Sequence, residues 1–124
     1  MSSPLKGLRT ITYKVSNIEE AKVWYSRVFA IEPYFDQPFY VGFNVGGYEL
    51  GLVPDEKNEG KTDGVVTYWG VDDVQGIINN LLENGATSHE EPTDVGDGII
   101  VAAVKDLWGN VVGVIYNPHF SLGE

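Results

Sequence analysis

Cysteine is absent from this sequence of 124 residues. That excludes disulfides, thiolate nucleophiles, cysteine-based zinc sites and iron–sulfur clusters. Basic residues are scarce, with 8 Lys and Arg against 18 Asp and Glu and a formal net charge of −10. Most of such a surface repels a phosphate backbone, so nucleic acid is not an expected partner. No apolar run approaches the ~18 residues that suggest a membrane span. The opening Met1-Ser2-Ser3-Pro4-Leu5-Lys6 lacks the apolar stretch of a secretory signal. The expectation is a cytoplasmic protein with no membrane partner.

What is present points to a folded domain. Apolar residues make up 43 % of the chain, too many for a disordered one. This length suits one compact domain and can bury roughly two thirds of its unfolded surface. The acids occur in pairs, Glu19-Glu20, Asp55-Glu56, Asp72-Asp73 and Glu90-Glu91. They serve solvation, or they attract a cationic ligand.

Leu8 to Val15 alternates and is β-branched, which predicts a strand. Asn17 offers a helix N-cap, with Glu20 three residues on to complete a capping box. Ile18, Ala21, Tyr25, Val28 and Phe29 follow at helical spacing, and Pro33 ends any helix that reaches Glu32. Short strands are expected at Tyr34–Phe35, Tyr40–Val45 and Tyr48–Val53, the last two joined by a Gly46-Gly47 turn. Residues 54–64 are polar and aperiodic, the best linker candidate. A strand at Val65–Val71 follows, then a helix capped by Asp72 or Asp73. Its Val74, Ile77, Ile78, Leu81 and Leu82 form one apolar face, and Asn84-Gly85 stops it. Thr87–His89, a polar loop through Gly98, and strands at Ile99–Val104 and Val111–Tyr116 complete the chain.

The two halves repeat. Residues 11–18 lie over residues 67–74 at an offset of 56, each a strand ending in Val, a polar cap and an aliphatic helix start. The fold class is therefore α+β. The chain reads as one domain over 1–124, built of two βαβββ modules, 7–53 and 65–117, forming a curved sheet cleft.

This organisation resembles the vicinal oxygen chelate superfamily, which includes glyoxalase I, bleomycin-resistance and fosfomycin-resistance proteins and extradiol dioxygenases. The resemblance is carried by the strand and helix start from Ile11 to Tyr25, with its Trp24-Tyr25 pair, and by Val71-Asp72-Asp73-Val74. Asp106-Leu107-Trp108-Gly109-Asn110 is similar to the family's Asp-Pro-x-Gly-Asn turn, with Leu107 in place of proline. The family's chemistry uses a divalent metal held by His and Glu at four strand positions, acting as a Lewis acid. Carried onto this chain, those positions are Thr10, Glu49, Val66 and Gly113. Val66 and Gly113 cannot bind a cation through their side chains, and Thr10 is a poor ligand. Open metal sites usually keep three protein ligands. The expectation is no metal and no cofactor. His89 and His119 lie off the entry strands and read as surface or packing residues.

Strand parity then selects a lining for the cleft. Thr10, Thr12, Lys14, Glu49, Gly51, Val66, Tyr68 and Gly113 face it, and Phe43 joins them. The ligand-binding candidates are Thr10, Thr12, Phe43, Glu49, Val66, Tyr68, Trp108 and Gly113. Glu49 is the best catalytic candidate, and otherwise an acid paired with Lys14 or with a cationic ligand. Trp108 packs over a neighbouring strand or contacts a ligand or partner. Glycines 42, 51, 70 and 113 mark bends or close approaches. Three functions follow. One is a metal-free, bleomycin-resistance-like binder of a cationic or aromatic compound. Another is a glyoxalase-type metal-dependent lyase, isomerase or dioxygenase. The last is an interaction domain with a vestigial pocket. The resemblance also implies a homodimer.

Overall fold

A computed structural model describes residues 4, 8–55 and 62–119. The chain divides into two compact units, Met1–Glu59 and Gly60–Glu124. Each is a four-stranded mixed sheet with one helix, an α+β architecture.

In the first unit, β1 (Thr10–Val15) leads into α1 (Ile18–Phe29), then β2 (Phe35–Gln37), β3 (Tyr40–Val45) and β4 (Tyr48–Pro54). The sheet order is β1-β4-β3-β2, with β1 parallel to β4 and the other pairs antiparallel. Asn17 caps α1 by accepting a hydrogen bond from the Glu20 N–H at 3.0 Å. The helix stops at Phe29, short of Pro33, because Ala30 turns into the left-handed region at φ 57° and donates back to Ser26 O. The α1 face of Ala21, Trp24 and Tyr25 is buried. Tyr13, Val15, Val41, Phe43, Leu50 and Leu52 are the buried apolar residues of the sheet. Fully burying a side chain such as Phe43 or Leu50 stabilises by about 1.5–3 kcal/mol. Tyr25 anchors the layer, with its ring 4.8 Å from that of Trp24 and 5.9 Å from that of Tyr13.

The second unit repeats the order, with β5 (Thr62–Gly70), α2 (Val74–Glu83), β6 (Thr87–Gly96), β7 (Ile99–Lys105) and β8 (Asn110–Tyr116) in a sheet ordered β5-β8-β7-β6. Asp73 caps α2 through the Gly76 N–H at 3.0 Å, and Gly85, at φ 100°, follows its end. Val74, Ile78 and Leu81 are the buried helix residues.

Two expectations need correction. The polar loop expected from after His89 through Gly98 belongs mostly to a strand, β6, paired with β7. It is an edge strand whose residues are nearly all exposed, so its polar composition reflects solvent on both faces and hides the strand period. Three register irregularities break the period further. The expected linker, 54–64, is shortened at both ends, since β4 runs to Pro54 and β5 starts at Thr62. Residues 56–61 of it lie outside the described residues, as does Gly7 at the expected start of the first module. No helix among the described residues is long and apolar enough to cross a membrane.

Candidate functional site

The β3–β4 hairpin sets the site. Gly46 and Gly47 take φ 60° and 95°, the left-handed values of a tight hairpin turn, and Asn44 Oδ1 accepts from the Gly47 N–H at 2.8 Å. The resulting register puts Phe43 opposite Leu50 and Gly42 opposite Gly51. Alternation then sends Phe43, Leu50 and Leu52 to the buried helix side, and Gly42, Glu49 and Gly51 to the other face. Across the parallel pair, Thr10 stands beside Glu49 and Thr12 beside Gly51.

Phe43 is therefore misplaced by the sequence reading. It is fully buried, on the face opposite Glu49. Lys14 is in register with Val53, four positions along the ladder from Thr10 and Glu49. The groups seen to bond Glu49 are two tyrosines. Tyr34 donates its hydroxyl to Glu49 Oε1 at 2.5 Å, and Tyr40 donates to Oε2 at 2.6 Å. Each carboxylate oxygen thus holds one phenol.

Glycine makes this possible. A Cβ on Gly42 would lie 2.8 Å from Glu49 Oε2 and 3.2 Å from both tyrosine rings. A Cβ on Gly51 would lie 2.6 Å from Tyr40 Cζ. The cross-strand glycine pair is a floor on which the two phenols and the carboxylate lie. The hydrogen bond to Glu49, with burial second, raises the Tyr34 phenol above its ordinary value. Tyr40 is pushed up to about 12, first by burial and then by the Glu49 hydrogen bond. Both therefore remain neutral donors at physiological pH. Around them runs an aromatic rim. Phe35 and Phe39 are 39 % and 65 % exposed, Tyr34 is 64 % exposed, and the Phe35 ring lies 6.1 Å from both Phe39 and Tyr40.

Sequence reading missed Tyr34, Tyr40, Phe35 and Phe39. What links them is the facing glycines, seen once the register is known: bare strand positions beside an acid leave space that rings from the same face can fill.

The second unit holds the other candidates. Tyr68, 39 % exposed, donates its hydroxyl to Glu90 Oε1 at 3.0 Å, and burial followed by this bond raises its phenol. Tyr68 is in register with Gly113, and a Cβ there would lie 2.8 Å from Tyr68 Cδ1 and 2.9 Å from Thr67 O. Val66 is half-buried on β5. Trp108 is half-buried in the turn before β8, which Asp106 organises. Asp106 Oδ1 accepts from the N–H groups of Trp108 and Asn110, and Oδ2 accepts from Asn110 Nδ2, all within 3.0 Å. Both Asp106 and Asn110 are buried, so the turn motif serves architecture.

The Glyoxalase/Bleomycin resistance protein/Dioxygenase superfamily matches residues 7–114 of this sequence. The chain belongs to that superfamily. An uncharacterized protein of Bacillus subtilis (strain 168), YurT, is 34 % identical over 77 residues, which cover 56 % of this chain and 60 % of YurT. Among solved structures, a glyoxalase-related enzyme from Fulvimarina pelagi superposes with a TM-score of 0.80 at 16 % identity, covering 96 % of this chain and 94 % of that one. Lactoylglutathione lyase from Agrobacterium tumefaciens gives 0.74 at 18 % identity, covering 95 % and 100 %. At these identities the likeness establishes the fold.

The superfamily's divalent metal does not fit the residues present. Of the four corresponding positions, Thr10, Glu49, Val66 and Gly113, only Glu49 offers a strong ligand. Among the described residues no three His, Cys, Asp or Glu side chains are grouped to hold an ion. His89 is exposed on β6, and the exposed His119 bonds Asp97 O through Nε2 at 2.9 Å.

Proposed function

We propose that this protein is a metal-free, bleomycin-resistance-like binder of a cationic aromatic small molecule, with Glu49 as its anchor. The observation that carries the reading is the paired phenol clamp on Glu49. Two neutral donors satisfy the carboxylate where relatives would place a metal, and its negative charge is left for the ligand. The aromatic rim supplies apolar contact and a face for a cation, worth about 0.5–2 kcal/mol. A mostly aromatic surface with a few fixed polar groups is the usual make-up of a small-molecule site. A homodimer belongs to the same reading, since Tyr34 and Phe39 expose large aromatic surface.

Calorimetric titration with matched cationic and neutral aromatic compounds tests the reading. Glu49→Gln should weaken cation binding by about 1–3 kcal/mol, roughly 5–150-fold, and leave the neutral compounds little changed. Equal loss for both would remove the electrostatic role of Glu49. Stoichiometric divalent metal in protein purified without chelator or metal-binding tag would refute the metal-free reading. Sedimentation at micromolar concentration tests the dimer, which a monomer mass would overturn.

A further inference from the structure

A carboxylate offers about four lone-pair sites, two on each oxygen. Tyr34 fills one on Oε1 and Tyr40 fills one on Oε2. One site on each oxygen is left, and Glu49 is only half-buried, so its carboxylate is not sealed. The clamp also fixes the plane of the group. Each oxygen is tied to a different tyrosine, and Gly42 and Gly51 bring the rings close to the strands. A carboxylate held this way still has an acceptor site on each oxygen.

We infer that the ligand presents a planar two-donor cation, an amidinium or guanidinium, to Glu49, with one N–H directed to each oxygen. The inference rests on the reading of Glu49 as a cation anchor and narrows it to a ligand class. A primary ammonium satisfies the same charge, but as a point donor it leaves one oxygen short. A planar fork matches both oxygens in two parallel charge-assisted bonds. Tyr34 and Tyr40 are positioning residues here, because their hydroxyls are spent on Glu49 and act through it.

The test follows backbone amide shifts of the full chain during titration with benzamidine, benzylamine and benzyl alcohol. These carry the same ring with a planar two-donor cation, a single ammonium or no charge. In wild type, benzamidine should bind about tenfold tighter than benzylamine, and both should bind tighter than benzyl alcohol. In Tyr34→Phe and Tyr40→Phe the benzamidine preference should fall toward unity, while both cations still outbind the alcohol. Tyr34 is exposed enough that its variant folds irrespective of Tyr40. Equal affinity for the two cations in wild type overturns the two-donor inference and leaves Glu49 as a cation anchor. A preference that survives both Tyr→Phe changes overturns the positioning role. If neither cation outbinds benzyl alcohol, the anchor itself is wrong.

Discussion

Gly51→Ala adds one methyl group at the point where the Tyr40 ring lies on β4. The new Cβ would approach Tyr40 Cζ to 2.6 Å and Cε1 to 2.7 Å, well inside the roughly 3.5–4.0 Å of carbon–carbon contact. The ring has to move, and the 2.6 Å hydrogen bond to Glu49 Oε2 goes with it. Overpacking of this kind costs about 1–3 kcal/mol. The lost hydrogen bond adds about 1.5 kcal/mol, the low end for a charged acceptor because Tyr40 is only partly buried. Against this, alanine restricts the unfolded chain and recovers about 0.4–1 kcal/mol. The net loss is about 1.5–4 kcal/mol, measured by urea unfolding followed through tryptophan fluorescence. Phenol absorbance gives a second reading, since Tyr40, pushed up to about 12 by burial and its Glu49 bond, should fall back toward the ordinary phenol value. Gly70→Ala is the control. Nothing lies within 4 Å of a Cβ there, so the same entropic gain of about 0.4–1 kcal/mol should appear without the clash. A Gly51→Ala protein as stable as wild type, or one that keeps the high-titrating tyrosine, would refute the packing argument.

Stability should fall with alkali. Tyr34, Tyr40 and Tyr68 all have folded values above the ordinary phenol value of 10.0. Their contribution is thus complete below pH 10 and is lost as pH rises through the folded values, that of Tyr40 near 12. The urea midpoint should drop over that window and drop less steeply in Tyr40→Phe. Asn17→Ala and Asp73→Ala each remove an N-cap and should cost about 1 kcal/mol by chemical denaturation, adding in the double variant because the caps share no partner. Asp106→Ala deprives three donors of their acceptor in a buried turn and should cost about 2–4 kcal/mol in thermal unfolding, with Asp106→Asn costing less.

The architecture was legible because each module carries redundant local signals. Capping residues stand ahead of helical periodicity in both halves, and Gly46-Gly47 sits where the hairpin register demands positive φ. The offset of 56 then doubled every inference. Where solvent touches both faces of a strand, as on β6, the polar period vanishes and composition imitates a loop. The site was half legible. Parity placed Glu49 and Gly51 on the face away from the helix, but Phe43 was added beside them without a register for its own strand. The antiparallel pairing with β4 instead ties Phe43 to Leu50 in the core. Glu49's partners escaped notice because they come from β3 and from the residue just before β2, and no spacing rule links a tyrosine to an acid across one turn or two. Only the register, once known, brings Gly42 and Gly51 together and leaves the space that Tyr34 and Tyr40 fill.

Gly113 stands where the fold leaves no room for a side chain. A side chain of any kind at that position meets Thr67 O at 2.9 Å as well as the Tyr68 ring. The ring could be removed by one substitution, but the carbonyl belongs to the backbone of β5, the strand paired with β8. A larger side chain installed there would have to shift the β5 backbone locally as well as move the ring. Any side chain placed at Gly113 therefore has to displace the Tyr68 ring and shift the neighbouring β5 backbone, at a cost in stability before it can do anything else.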